Sequence, residues 1–348
     1  MAELFSPESL VDFCRSAAES VCFSEEHGRI LGESLVDAEL RGVESHGLIH
    51  LRMYLAWTRD GLINTRLRLL TLRDSGPTVL LDGDFGLGQP LSIYAMDLAI
   101  ARAADFGVGV VWVKNANSFG AAGYYSLRAV AREMVGFSLQ NTGPHIAPPG
   151  GVAPLVGNSP FSIAIPTGEV PIVLDIACSS VARATLIMAA KRCERIPVGW
   201  AVDRVGNPTD DPNEALAGAL LPFGGHKGYG LALVLGLLGS TLIGADYDEV
   251  LQTMYFPRPR GFGIVMAAIN VAHLQPVEEF YKGVGKWIHR IRTAPVAKGV
   301  DRVYFPGERS HVLKERRLRE GISLSPAVSE DLGNLATELG IPFPNGNH

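Results

Sequence analysis

With 348 residues, 47% of them hydrophobic, the chain can build a large core and has length for two domains. A net charge of −5 and the lack of any basic run exclude a nucleic-acid binder that tracks phosphates. Cys14, Cys22, Cys178 and Cys193 form no CxxC pair, which argues against structural zinc and fits reduced thiols in a cytoplasmic protein.

The first residues lack the basic-then-apolar layout of a secretory signal. Ser6-Pro7 starts a helix with Leu10, Phe13, Cys14 and Ala17 on one face. Ser24 opens a second, whose apolar positions Ile30, Leu31, Leu35 and Ala38 run into Gly42, a helix stop. A third pattern, Leu48, Leu51, Tyr54 and Leu55, ends at Gly61. Ser45 and His46 thereby fall in a short loop between two helices. A hydroxyl beside an imidazole there suits proton handling, because histidine titrates near neutrality. A surface Ser-His pair with no chemistry reads the same way.

From Thr78 the pattern changes. Residues 79–84 read as a strand, 92–106 as an alanine-rich helix and 108–113 as a strand ending in Asn117-Ser118-Phe119-Gly120. Residues 123–134 read as helix and 135–139, 162–165 and 170–175 as strands, with a further helix over 181–191. The glycine-rich 224–230 leads into the apolar run 230–245, too short and too interrupted for a membrane span and expected as a buried helix. A strand over 263–269, a helix over 277–292 and a tail holding Pro306-Gly307-Glu308 close the chain.

Mixed elements of this kind imply an α/β or α+β enzyme. Gly86-Leu87-Gly88 lacks the third glycine of a dinucleotide fingerprint, so a Rossmann domain is not supported. A hydrolase using Ser45 with His46 is weak, because adjacent residues on a loop rarely reach hydrogen-bond geometry. The 224–230 loop suits a phosphate, with Lys227 as a point charge, or is a tight turn with a surface lysine. Asp175 at a strand end suits a ribose hydroxyl or a helix cap. For Asn141, Asn158 and Ser159, turn chemistry is the default.

Taken in order, several blocks carry a likeness: Arg41-Gly42-Val43-Glu44-Ser45-His46-Gly47, Gly83-Asp84-Phe85-Gly86-Leu87-Gly88-Gln89-Pro90, Phe119-Gly120-Ala121-Ala122-Gly123-Tyr124-Tyr125 and Val173-Leu174-Asp175-Ile176-Ala177. Ile196-Pro197-Val198-Gly199-Trp200-Ala201-Val202-Asp203, residues 224–231 and Pro306-Gly307-Glu308 continue it. Over 35–341 the chain resembles the malate/L-lactate dehydrogenase family that is distinct from the Rossmann enzymes of similar name. The resemblance implies a mixed α/β, non-Rossmann NAD(P)-binding fold with a large mixed or antiparallel sheet flanked by helices. In that reading 1–75 is an N-terminal helical segment, 76–300 the NAD(P)-binding and catalytic part, and 301–348 a tail packing back on the N-terminal part.

It further implies a cytoplasmic homodimer, with its active site near the interface, using NAD(P)H and no metal. The substrate would be a small 2-oxo acid or cyclic 2-imino acid, or the corresponding 2-hydroxy acid. His46 would pass the proton, with Ser45 as relay. Ser118, Phe119, Gly120, Ala121, Ala122, Asn141 and Asn158 would hold the cofactor with Asp175, Ile176, Ala177, His226, Lys227, Gly228, Gly307 and Glu308. His50, Ser118, Arg52 and Tyr54 would face the substrate.

The sequence also departs from the family. His50 stands where an arginine usually clamps a carboxylate, and Ser118 where histidine is usual. Ala184-Thr185 replaces a common Gly-Lys, and Asn158-Ser159 a Thr-Asn. The expectation is a bulkier or cyclic substrate, a carboxylate held by Arg52 or Arg183 instead, or a reaction changed on the same scaffold. A cofactor-binding protein without turnover is the non-enzyme alternative, and the intact Ser45-His46 pair argues against it.

Overall fold

In the computed structural model, which describes residues 3–245 and 261–346, the N-terminal patterns form α1 (Pro7–Glu19), α2 (Glu25–Leu40) and α3 (Leu51–Arg59) after a short strand, β1 (Leu4–Phe5). Both ends of the chain and residues 246–260 of the expected catalytic part therefore lie outside the described residues. Ser6 and Ser24 cap α1 and α2 by accepting the Ser9 and His27 amides at 3.1 and 3.2 Å. Between α2 and α3 the chain makes two short helical turns, Glu44–His46 and Leu48–His50, in place of a plain loop.

The centre of the chain supplies β2 (Leu70–Ser75), β3 (Thr78–Gly86), α4 (Gly88–Phe106), β4 (Val108–Ala116), α5 (Gly123–Val130) and β5 (Met134–Gln140). Next come β6 (Pro144–Ile146), β7 (Val156–Gly157), β8 (Phe161–Ile165), β9 (Ile172–Ile176) and α6 (Arg183–Lys191). They are followed by β10 (Ala201–Val202), α7 (Pro212–Ala217), β11 (Ala219–Leu220) and α8 (His226–Gly239). After β12 (Phe262–Asn270) the chain ends in α9 (Val277–Arg292), α10 (Glu308–Glu320), β13 (Ile322–Ser323) and α11 (Pro326–Leu339).

The main sheet runs β2-β3-β4-β12-β5-β8-β9, and among its described residues only β3 and β4 pair in parallel. A doubly wound fold needs successive parallel strands joined by helices, so the mixed sheet itself rules out a Rossmann arrangement. The one parallel step is the β3–α4–β4 crossover. There Ala95, Ala99 and Ala103 lie fully buried, and the backbone at Gly109 presses on α4. A β-carbon on Gly109 would stand 2.1 Å from the Ala99 carbonyl oxygen. Only glycine fits.

A second core joins the ends of the chain. Leu10, Phe13, Leu31, Leu35, Leu51 and Leu55 bury against Ile322, Leu332 and Leu335, while β1 pairs with β13. Phe343 meets Phe5 and Phe13 edge-on.

Three expectations need correction. The helix over 123–134 stops at Val130, because Glu133 turns left-handed (φ 59°) and sends the chain into β5. β2 falls inside the segment expected as helical; Leu70-Thr71-Leu72-Arg73 alternates apolar with polar, but all its residues are exposed and the run is too short to stand out. The run over 230–245 is not a wholly buried helix. α8 begins earlier, and His226–Ile243 attains the length and hydropathy of a membrane span. Ala232 and Leu235 pack on the sheet, while Val234, Leu237 and Leu238 are exposed. Hydropathy counts apolar residues but does not say which flank a sheet will cover.

Gly109→Ala is expected to lower stability by about 1–3 kcal/mol or more through overpacking. Gly283→Ala, on exposed α9 with open space around it, should add up to about 1 kcal/mol. Thermal melting of the two variants checks the contrast, and equal shifts would contradict it.

Candidate active site

The turn after α2 brings the first pair together. Ser45 Oγ lies 3.0 Å from His46 Nδ1. The tight backbone turn makes neighbours in sequence neighbours in space, against the expectation that they would miss each other. His50 Nε2 donates to the Ser45 carbonyl at 2.7 Å, and its ring meets that of His46 edge-on with centroids 5.9 Å apart. Burial, then the neighbouring His50, pushes the His46 pKa down to about 4. Burial also lowers His50, against the opposing bond to the Ser45 carbonyl. Both imidazoles are therefore neutral at pH 7. With Nδ1 donating to Ser45 Oγ, the His46 Nε2 lone pair is free to take a proton.

Beneath this turn lies Glu39, which the motif reading passed over. Its Oε1 accepts the Leu48 amide at 2.9 Å, and a β-carbon on Gly47 would fall 2.1 Å from that oxygen. Burial raises its pKa to about 7, with the Leu48 bond opposing and the Glu44 charge assisting. The available signal was a carboxylate continuing the stripe Leu31–Leu35 one helical turn on. From the side, Arg317 of α10 donates to the Glu39 carbonyl and pairs with Glu44 at 3.0 Å, and Lys314 pairs with Asp37 at 2.5 Å.

One turn past His50 on α3, the buried Tyr54 donates to Ser118 Oγ at 3.4 Å. The loop carrying Ser118 is held by residues that sequence reasoning missed. Gln140 accepts the Phe119 amide (3.2 Å) and donates to the Asn117 carbonyl (3.0 Å). Asn117 donates to the Leu62, Phe85 and Gly86 carbonyls, and the Tyr125 hydroxyl donates to the Phe119 carbonyl. Polar residues closing the apolar strands β4 and β5 were the available sign.

The expected substrate cations separate. Arg52 turns to α11, where it pairs with Asp331 at 2.8 Å and Glu338 at 2.7 Å. It is committed to the fold. Arg183 opens α6, the helix packed beside the Ser45–His46 turn, and donates to the Leu216 carbonyl at 3.4 Å.

The residues expected at the cofactor gather around the end of β9. Asp175 Oδ2 accepts the Gly123 amide at 2.8 Å, tying the 118–122 loop to Asp175, Ile176 and Ala177. This makes Asp175 a helix cap, though of α5 and not of the helix that follows it. Burial raises its pKa, while the Gly123 bond and Arg41 oppose. Cys178 donates its amide to the Asn158 carbonyl at 2.7 Å, and Phe223 donates to Cys178 at 3.0 Å, which draws in the Gly224–Gly225 turn before α8. Val173 donates to Pro306 at 3.0 Å and brings up Gly307 and Glu308.

Several of these side chains are already engaged. Asn141 Oδ1 accepts the Gly263 amide (2.7 Å) and Asn158 Oδ1 the Thr142 hydroxyl (2.8 Å). Buried Glu308 is flanked by Arg292, 2.8 Å away, and by Arg302. Burial alone would raise its pKa, but these guanidiniums hold it below the usual carboxylate range. His226 and Lys227 stand exposed in the first turn of α8, while Gly228 packs under the Phe223 carbonyl. Left-handed Gly224 and Gly225 lead into that turn, and the helix end with its lysine fits a dinucleotide phosphate.

Residues 5–333 match the family model described as malate/L-lactate dehydrogenase. The chain belongs to this family. The malate/(S)-sulfolactate dehydrogenase of Methanothermus fervidus is 36% identical over 97% of the chain and 98% of its own length. The (2R)-3-sulfolactate dehydrogenase (NADP(+)) of Chromohalobacter salexigens is 32% identical, covering 95% and 98%. The ureidoglycolate dehydrogenase (NAD(+)) of Escherichia coli is 30% identical, covering 91% and 93%. Among solved structures, the sulfolactate dehydrogenase of Methanocaldococcus jannaschii superposes with a TM-score of 0.89 at 35% identity, over 98% of both chains. As a member of this dehydrogenase family, the chain is an oxidoreductase.

Glu39 gives the family turn a pH signature. Its folded pKa lies above that of the free side chain, so the folded state holds the extra proton between about 4.5 and about 7. Stability therefore falls as pH rises through that window, by on the order of 3 kcal/mol in full. Glu39→Gln keeps an acceptor for the Leu48 amide without that titration. Its melting temperature should exceed wild type by more at about pH 8 than at about pH 5; a gain that does not grow with pH would contradict the assignment.

Proposed function

We propose that the chain oxidises a 2-hydroxy acid reversibly with NAD(P)+, and that His46 is the base. The observation that carries this is the Ser45–His46 contact, with a neutral imidazole, in a chain of the malate/L-lactate dehydrogenase family. Relatives named for malate, sulfolactate and ureidoglycolate support the hydroxy-acid class over a cyclic imino acid, and the dinucleotides in two of those names support the cofactor.

When bound, the dinucleotide supplies the hydride acceptor. His46 Nε2 takes the hydroxyl proton of the substrate while Nδ1–H stays bonded to Ser45 Oγ, which holds the ring in place. As the proton leaves, the C2–O bond gains double-bond character and C2 releases its hydride. In reduction the same nitrogen returns the proton. His50 gives its Nε2 hydrogen to the Ser45 carbonyl and offers no fork for a carboxylate, so Ser118 and Arg183 are the groups we assign to the acid end. The homodimer in the cytoplasm is carried over from the family resemblance, and size-exclusion chromatography reads the oligomeric state.

The reading is tested by dinucleotide reduction against a panel of 2-hydroxy acids. His46→Ala should lower kcat roughly a hundredfold or more and leave dinucleotide Kd near wild type; wild-type turnover in that variant removes His46 from the mechanism. The imidazolium has no lone pair. Oxidation should therefore hold level across neutral pH and decline as pH drops through about 4. Reduction, which needs the imidazolium, should weaken as pH rises above that value. A hydroxy-acid oxidation limb near pH 6.5 would show that burial does not depress His46 in the working enzyme.

A further inference from the structure

Gln89 lies in the first turn of α4 and is fully buried, yet neither of its amide atoms has a hydrogen-bond partner among the described residues. Buried amides are rarely left so, because each unmade bond carries the full desolvation cost of its group. The orphan atoms also cluster. Besides Trp112, those found among the described residues belong to Gln89, to Ser92 one turn further along α4, and to Asn117 in the loop beside it. The Gln89 amide faces the Tyr54 hydroxyl. A β-carbon built on Gly120 would stand 3.6 Å from Gln89 Nε2 and 3.9 Å from the Tyr54 hydroxyl, so both groups converge under the 117–120 loop.

We infer that Gln89 is a positioning residue that turns Ser118 into a hydrogen-bond donor for an anionic oxygen of the substrate, through Tyr54. The inference rests on the proposed function of this site. Tyr54 donates to Ser118 Oγ, so the serine proton points away from the tyrosine. Ser118 is only half-buried, whereas Tyr54 and Gln89 lie behind it. A Gln89 N–H given to the Tyr54 oxygen completes a line of donors, each polarising the next, that ends on Ser118. That line leads to the substrate end where neither position 50 nor position 118 carries a cation. A carboxylate accepts from such a donor, and a neutral amide offers it less.

The test measures KM and kcat for a 2-hydroxy carboxylate in Gln89→Met, Gln89→Leu, Tyr54→Phe and the Gln89→Met/Tyr54→Phe double variant, with melting temperatures alongside. Each single variant should raise KM roughly five- to tenfold, with kcat and dinucleotide Kd within about twofold of wild type. The double variant should be no worse than Tyr54→Phe alone, because both act on one line. Gln89→Met and Gln89→Leu keep the buried apolar volume, so their melting temperatures separate an effect on KM from a loss of the fold. An unchanged KM, additive losses in the double variant, or a KM rise confined to variants that melt far below wild type would overturn the inference alone. A wild-type chain that binds dinucleotide but turns over no hydroxy acid would overturn the reading of the site, and this inference with it.

Discussion

The Ser45–His46 turn is anchored to α2 by the hydrogen bond from the Leu48 amide to the buried carboxyl of Glu39. That bond explains the glycine at 47, because any side chain there would occupy the space of the carboxyl oxygen. It also fixes the exit of the turn into α3, and hence where His50 and Tyr54 point. α10 braces the turn from the other side, with Arg317 reaching both the Glu39 carbonyl and Glu44. The tail is thus part of the site's support.

Burial sets the protonation states around this point. His46 and His50 lose their charge, and Glu39 and Asp175 are pushed toward holding theirs as a proton. Each follows from removing water near an ionisable group, and each partner bond only moderates it. The turn therefore holds a neutral imidazole next to a hydroxyl, ready to accept a proton and short of a cation. An arrangement of that kind suits removal of a proton from a substrate that is itself anionic, because the substrate's charge favours the imidazolium as it forms.

The helices and most strands were legible because their patterns are local: serine caps, a proline at the first turn, apolar positions at helical spacing. The Ser-His turn was legible as a place, though its geometry was not, since a hydrogen bond between adjacent residues depends on backbone angles that composition does not encode. Glu39, Gln89, Asn117 and Gln140 were hard to see for a different reason. Each is a polar residue in an apolar environment; the partners of Glu39, Asn117 and Gln140 lie on other elements, from 9 residues away for Glu39 to 55 for the Asn117 bond to Leu62, and the amide of Gln89 is left unpaired. Family likeness pointed to Asn141, Asn158 and Glu308. The structure engages all three side chains in bonds within the fold, so any contact they make with a dinucleotide must come from what those bonds leave over or from the backbone they hold in place.

The substitution at position 50 shows how charge and scaffold are linked. An arginine there would supply a fork for a carboxylate. His50 instead directs its ring nitrogen to the Ser45 carbonyl and so steadies the residue beside His46. Arg52 cannot replace the lost cation, because its guanidinium already bridges Asp331 and Glu338 and ties α3 to α11. Withdrawing it would leave two carboxylates facing each other and loosen the core that joins the chain ends. In the proposed reaction the acid end of the substrate is assigned to neutral donors presented on the 117–120 loop, or to Arg183 on the helix beside the turn. The first arrangement discriminates by shape and hydrogen bonding more than by charge, which favours substrates that carry further polar groups over the smallest hydroxy acids.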